Sequence, residues 1–549
     1  MDRLKTSDGM IFTDQTKIIE EQVKFYSNVF SKKLEFDERK AEQFASKLNI
    51  PKLNDEQREN IENVLVEQEI SYALKNMRNG SSPGLDGLTT RFIKFFWLRL
   101  KGMLIPSLQA AYEKGEMSIS QKRAVITLIH KGKNLVRDDL SNWRPISLTN
   151  TDYKILAKCL ALRLSTVISD LINEDQVGFV KGRKASSLIR LIDDVIEYTD
   201  KTQTPGILLA LDYSRAFDSI SKEYMIWAFE KFGFGPVFVN WVKTLTNNTE
   251  SCINYMGWIS EEFKVESGIR QGCPFSPLAF VLGLELLAIS IRDDKLVKGI
   301  KLPSVFTGPH VIFDILKIAL YADDITFFLS DKNDLEGVLL IVQSFSTVSN
   351  LSMNLNKTEA MWIGSSKTNP EQHGSIVWKK QLKILGIIFK NNESASNVQE
   401  NWIKRMEMVE RIIAQWAKRN LSMSGKLCII KTFMISQFVY PMQALIMPQH
   451  IITKLNTILF RFLWKRKYSN KKAFEKVKRV VICNSREEGG IQMINMEDMQ
   501  TSFLLAWIAN LNESGSEKWR ILPIWTMNSL GYKLACLHAS VTSKRFNGL

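Results

Sequence analysis

The sequence predicts an α+β protein of two to four structural units, and three observations carry that reading. Short apolar runs in the middle of the chain stop abruptly on charged residues, as buried strands do. After about residue 391 the period changes, and apolar residues recur at helical spacing. The chain has 549 residues and 45% hydrophobic content, more than one compact domain and enough to bury real cores.

Residues 1–55 are polar and mixed in charge. Ile18, Ile19, Val23, Tyr26 and Phe30 fall at roughly helical spacing, which predicts an arm or cap packed on the main body. One helix is expected from Asn54 to Met77, with Asp55 and Glu56 at its positive end and Asn79-Gly80 as its stop. Ser81 to Gly87 forms a tight loop, either a connector or a segment laid close to a nucleic-acid backbone. Arg123–Lys133 reads as a strand ending in a basic turn, and Asn142–Leu148 starts a second strand. Such a hairpin can cover a phosphate group, with Lys131, Lys133 and Arg144 as the contacts; a solvated basic loop is the plainer reading. Tyr153–Leu164 reads as a helix, and Gln176–Arg183 as a second basic, glycine-punctuated loop.

Ile207–Leu211 is a continuous apolar run that ends on Asp212. Asp218 follows near the start of a helix, where the helix dipole alone accounts for an acidic residue. Ser267–Pro277 is a Gly/Pro-rich loop holding Arg270 and Gln271, and it leads into an apolar helix begun by Pro277. Lys317–Leu329 reads as strand, tight turn, strand, with Asp323 and Asp324 at the tip. Unpaired carboxylates at the end of a buried hairpin are costly unless a cation neutralises them; taken alone, a solvated Asp-Asp turn between two strands is the plainer reading. A helix is expected over about 335–350, then a short strand pair around Gly386 and a helical unit from Trp402 to Trp464.

The net charge is +15. The first 70 residues carry 11 Lys+Arg against 15 Asp+Glu, so the rest carries +19. That balance favours a polyanionic partner, nucleic acid before an anionic membrane surface. Arg461–Arg479 alone holds nine basic residues against one acidic, interleaved with Phe462, Trp464, Tyr468 and Phe474. This suits backbone neutralisation with base stacking; a nuclear-targeting run and a solvated surface are the other readings. Six scattered cysteines without a C-x-x-C pair indicate neither a disulfide framework nor a zinc knuckle. No signal peptide or membrane span is read, so a nuclear or cytoplasmic location is expected.

Three carboxylates, Asp212, Asp323 and Asp324, can hold two Mg²⁺ ions between them, an arrangement suited to in-line phosphoryl transfer. With a basic body this points to a nucleotidyl polymerase, although spacing alone leaves a nuclease open. Six motifs then occur in a familiar order: Ser82–Gly87, Trp143–Leu148, Gly178–Arg183, Leu211–Asp218, Gly268–Pro274 and Tyr321-Ala-Asp-Asp324. Together they resemble the reverse transcriptase of LINE-type non-LTR retrotransposons, closely over Glu56–Phe389 and more loosely over about 390–510.

The resemblance implies a right-hand polymerase of fingers, palm and thumb, with a helical N-terminal extension and a mostly helical C-terminal region. The expected units are an extension at 1–55, fingers at 56–205, palm with part of the fingers at 206–392, thumb at 400–464 and a basic C-terminal region at 465–549. It implies Asp212 and Asp323 as metal ligands with Asp324 beside them, holding Mg²⁺ or Mn²⁺. Phe217 matches the bulky residue that crowds the sugar 2′ position and favours dNTPs. Arg144 and one of Lys131 or Lys133 match triphosphate contacts, and Gln271 with Arg270 and Gly272 the loop under nucleotide and template. Lys357 matches a lysine that protonates pyrophosphate, and residues 381–389 the hairpin that grips the primer. The implied partners are an RNA template, a DNA primer or target, dNTPs and the ribonucleoprotein partners of such an element, with no membrane. Leu85 and Phe275 depart from the usual proline and leucine. No endonuclease, Cys/His knuckle, RNase H or protease pattern is found, so a truncated copy, an incomplete gene or a domesticated gene is expected. The rivals are an RNA-dependent RNA polymerase, which Phe217 argues against, a group II intron-type maturase, and a catalytically idle nucleic-acid-binding protein.

Overall fold

The computed structural model describes residues 3–6, 8–32, 34–132, 135–307, 310–312, 314–369, 374, 376–464, 475–511 and 517–530. Lys133, most of the Arg461–Arg479 basic run and Cys536 lie outside the described residues.

The amphipathic N-terminal stretch folds as α1 (Gln15–Phe30), begun by Asp14, whose carboxylate accepts from the Lys17 N–H. Its buried residues include Ile18, Tyr26 and Phe30, as their spacing predicts. The single helix expected over Asn54–Met77 is instead two, Asp55–Ile61 and Glu67–Lys75. Asn54 and Gln57 form a reciprocal capping box at the first start. Glu62, just past the first helix, accepts from the N–H groups of Val237 (2.8 Å) and Phe238 (3.0 Å), capping a helix far along the chain. That long-range cap and the extended Val66 break the pattern.

Among the elements that follow, those that position the site are β1 (Arg123–His130), β2 (Trp143–Thr149), α2 (Thr151–Leu171), α3 (Ala185–Thr202), β3 (Gly206–Leu211), α4 (Lys222–Lys231) and α5 (Pro236–Thr246). Next come β4 (Glu250–Tyr255), β5 (Trp258–Ile259), β6 (Phe263–Lys264) and the apolar α6 (Ser276–Asp293). The hairpin strands are β7 (Ile318–Tyr321) and β8 (Asp324–Leu329), followed by α7 (Lys332–Ser349), β9 (Glu359–Ile363) and β10 (Val377–Trp378).

Two five-stranded sheets result. One has the order β7-β8-β3-β9-β10, antiparallel except for β9 with β10. Its strands are mostly apolar because both faces are covered, with Asp324, Thr326 and Glu359 among the exceptions. Ile207, Leu209, Phe327 and Leu329 enter a core shared with α2, α4, α5 and α6. Leu208, Phe328, Met361 and Ile363 enter a second core built with α3 and the helical unit that follows. The other sheet runs β2-β1-β4-β5, with β6 also paired to β4. Tyr26 and Phe30 of α1 cover one of its faces by packing with Ile126, Ile253 and Phe263.

β11 (Gln381–Ile384) and β12 (Ile387–Lys390) form a separate hairpin around Leu385-Gly386. The helical unit comprises α8 (Glu400–Trp416), α9 (Met423–Ile429), a π-helical turn (Ile430–Ile435), α10 (Ser436–Met442) and α11 (Gln449–Trp464). Trp402, Met406, Val409 and Ile413 are its buried stripe, so the apolar period marks core. α12 (Met496–Leu511) and α13 (Ile521–Ser529) close the second core. The cysteines at 159, 252, 273, 428 and 483 are free. Among the described residues no helix is long and apolar enough to cross a membrane.

Candidate active site

Sheet register brings the carboxylates together. Ile325 of β8 pairs with Leu211 of β3, so the next residues outward, Asp324 and Asp212, stand side by side at the end of the sheet. Asp323 adjoins them in the two-residue turn closed by the Tyr321–Asp324 pair. Ala322, first in that turn, has φ +54°, the left-handed backbone that tight hairpins require there.

Each carboxyl is pushed above its ordinary range. Burial does most of this for Asp212, against the charges of Lys357 and Lys131. Burial also leads for Asp323, where Asp212 adds to the rise and Arg144 opposes it. For Asp324, burial is followed by the charges of Asp323 and then Asp212. The three groups therefore repel one another in a crowded place that opens onto a cleft. Among the described residues no three acidic, His or Cys side chains close into a finished metal cluster. The donor set still suits a hard divalent cation: all oxygen, mutually repelling, and relieved by positive charge.

A fourth carboxylate, Asp218, is carried in by a four-residue helix, Ala216–Ser219, entered through Arg215 at φ +52°. Asp218 is 3% exposed, and burial pushes its carboxyl up to about 7. Gln271 Nε2 donates to its Oδ1 at 2.8 Å. The Gly268–Pro274 loop is locked onto the same turn: Gly268 N–H donates to Ile220 O and Ile269 N–H to Phe217 O, both at 2.8 Å. Gly268, at φ +79°, has Asp218 O where a Cβ would sit, 2.5 Å away. A helix-start acid in the sequence is thus the orienter of Gln271 in the fold.

A cleft of about 1160 Å³ joins the two sheets. Asp212, Asp323, Asp324, Phe217, Gln271, Gly272 and Lys357 line it from one side, Lys131 and Arg144 from the other. Lys131 Nζ donates to Ser141 O (2.8 Å), and burial, then the charges of Lys357, Arg215 and Arg144, lower its pKa. Phe217 stacks on Phe280 with ring centroids 4.4 Å apart. Gln271 O accepts from Ser147 N–H at 2.8 Å, tying the loop to β2. Arg270 is turned inward: its guanidinium donates to the carbonyls of Lys122 and Glu250 and lies over the Tyr153 ring. It braces the loop from behind. The glycine of the Ser81–Gly87 loop is likewise explained by packing, since a Cβ on Gly84 would meet Asn150 Oδ1 at 2.1 Å.

Several lining or supporting residues were not legible as such in the sequence. Phe25 and Tyr26 of α1 form a wall of the cleft, with Arg215 over the Phe25 ring at 4.6 Å. Asn354 donates its backbone N–H to Asp212 O at 2.8 Å. The Tyr440 hydroxyl of α10 donates to Leu385 O (2.9 Å) in the β11–β12 turn, and burial, then Tyr321 and Asp324, push it up to about 12 against the charge of Arg405. Tyr26 follows the helical spacing of its own helix, but the place of each of these residues beside the site is set by a segment far away in sequence.

Residues 129–389 match the family described as reverse transcriptase (RNA-dependent DNA polymerase). The chain is 31% identical over 471 residues to the transposon TX1 uncharacterized 149 kDa protein of Xenopus laevis, covering 85% of this chain and 35% of that protein. It is 26% identical over 321 residues to a retrovirus-related Pol polyprotein from the type-2 retrotransposable element R2DM of Drosophila melanogaster, covering 58% and 28%. A Pol polyprotein from the type-1 retrotransposable element R2 of Popillia japonica is 25% identical over 307 residues, covering 55% and 40%. The chain spans about a third of the length of these relatives.

Proposed function

The chain carries a reverse transcriptase domain at residues 129–389, similar to those of non-LTR retrotransposon proteins, and on that premise we propose that it extends a DNA 3′ end on an RNA template, using dNTPs. The observation that carries the reading is the register of β3 and β8, which sets Asp212 beside Asp324 with Asp323 on the adjoining turn. In this reading the β3 sheet is the palm, the β1–β2 sheet belongs to the fingers and the helical unit from α8 to α11 is the thumb.

Asp212, Asp323 and Asp324 would hold two Mg²⁺ ions. Bound there, the ions supply a lowered pKa for the attacking hydroxyl and compensation of the charge on the transferring and leaving oxygens. The chain's own residues do the rest. Lys131 and Arg144 stand across the cleft and bind the triphosphate, giving charge-assisted contacts to a polyanion. Gln271, held by Asp218, and Gly272 support the incoming nucleotide and template base. Phe217, backed by Phe280, cannot retreat from the sugar, so a 2′-hydroxyl meets a fixed wall. Lys357 is placed to give a proton to the departing pyrophosphate. The β11–β12 turn, held by Tyr440, grips the primer.

The test is primer extension on an RNA template with Mg²⁺ and dNTPs, beside Asp323→Ala. Extension by the intact chain and none by the variant is expected; equal extension by both would refute the reading.

A further inference from the structure

The Gln176–Arg183 loop, basic in sequence, reaches the cleft with Phe179, while Gln176 and Arg183 turn into the protein. Gln176 makes an isolated parallel bridge to Leu320 of β7: Leu320 N–H donates to Asp175 O and Val177 N–H to Leu320 O, both at 2.8 Å. Gln176 is 1% exposed. Its Oε1 accepts from Ala322 N–H at 2.9 Å and from Gly178 N–H at 2.8 Å. Ala322 is the left-handed residue directly before Asp323. Without this acceptor, a buried N–H in a strained turn would have no partner. Gly178 allows the approach, because a Cβ there would come within 2.4 Å of Ala322 N.

The segment is itself anchored from below. Arg183 donates to the carbonyls of Gln176 (2.7 Å) and Ile172 (2.8 Å). The Asp175 carboxylate, almost fully buried, pairs with Lys518 (3.3 Å) from the C-terminal part of the chain and with Arg292 (3.5 Å). A buried carboxylate with two cationic partners resists displacement, since removing one leaves uncompensated charge.

We propose that Gln176 is a positioning residue for the reaction: its side-chain carbonyl fixes the Ala322 N–H and with it the turn that presents Asp323 to the cleft. The inference rests on the polymerase reading. It assigns to Gln176, which is buried beneath the cleft lining, the job of a supporting shell, whose loss typically lowers metal affinity or activity ten- to hundredfold.

The experiment compares the full chain with Gln176→Met, which keeps the volume and loses the acceptor, and Gln176→Asn, which retracts it by one methylene. Mg²⁺ affinity is measured by calorimetry, primer–template Kd by anisotropy, and kcat and dNTP KM by extension, all below the melting temperature of each variant. Both variants are expected to bind Mg²⁺ about tenfold more weakly and to lose about ten- to hundredfold in kcat, with primer–template Kd and dNTP KM within about twofold of the intact chain. Unchanged Mg²⁺ affinity and kcat in either variant would overturn the proposal, and so would a loss of primer–template binding that follows kcat. Failure of the intact chain to extend a primer would refute the polymerase reading, while the Mg²⁺ titration would still test Gln176.

Discussion

Two sheets face one cleft, and they hold their charges differently. The sheet centred on β3 is covered on both faces, and its rim is acidic. Its carboxylates are crowded, raise one another's pKa, and sit on a turn pinned by Gln176 from behind. The β1–β4 sheet has α1 on one face, and its rim is basic. Lys131 and Arg144 there are exposed, on long side chains near a strand end. The contrast is between a fixed site and an adjustable one. The carboxylates proposed to share a cation stand on paired backbone, whereas the cations proposed to meet a triphosphate stand on long side chains, with the Lys131 ammonium partly buried against Ser141 O.

That comparison can be broken or sharpened by substitution, and the fixed rim should be the less forgiving. Asp323→Ala is expected to lower extension by about a thousandfold or more, as losing a central electrostatic group does, with primer–template binding retained; a loss of less than tenfold in single-turnover assays would remove Asp323 from the centre. On the adjustable rim, Lys131→Ala or Arg144→Ala should raise the dNTP KM about tenfold, the size of one charge-assisted contact. Added salt should erode the difference; a kcat defect at unchanged KM would show that these cations are not triphosphate contacts. Phe217→Ala should relax discrimination against rNTPs by about ten- to hundredfold, read as the ratio of kcat/KM for dCTP and CTP. Unchanged discrimination would mean that the Phe217–Phe280 stack serves only the core.

The smallest effect concerns stability. Asp194 on α3 is a carboxylate raised to about 8 by burial, against the charge of Arg190, and its Oδ2 is buried without a hydrogen-bond partner. Its folded pKa lies above its unfolded one, so the native state holds the proton more tightly. The stability this gives is complete below about pH 4 and is lost as pH rises through about 8. Asp194→Asn should therefore raise the melting temperature at pH 8 more than at pH 5. Equal gains at both would show that Asp194 is ionised throughout, like an ordinary carboxylate.

Much of the fold was legible because strands and helices announce themselves locally. The apolar run Ile207–Leu211, the Asp-Asp tip and the stripe from Trp402 all formed the predicted elements. Errors came where a distant partner intervened. Glu62 leaves the expected Asn54–Met77 helix to cap α5, 175 residues on. Arg183, basic and loop-borne, faces the carbonyls at the end of α2, not the cleft. Gly84 and Gly178, one in each of the Ser81–Gly87 and Gln176–Arg183 loops, make room for the protein's own atoms.

Local apolar runs and residue types were enough to mark Asp212, Asp323 and Asp324 as carboxylates at strand ends, the groups that the proposed chemistry needs. What holds them in place comes from tertiary packing. Gln176 meets Ala322 across 146 residues, Asp218 meets Gln271 across 53, and Lys518 reaches Asp175 across 343. Hydrogen bonds of that reach obey no local period. They are fixed by how the sheet and its two cores pack, which no short stretch of chain encodes.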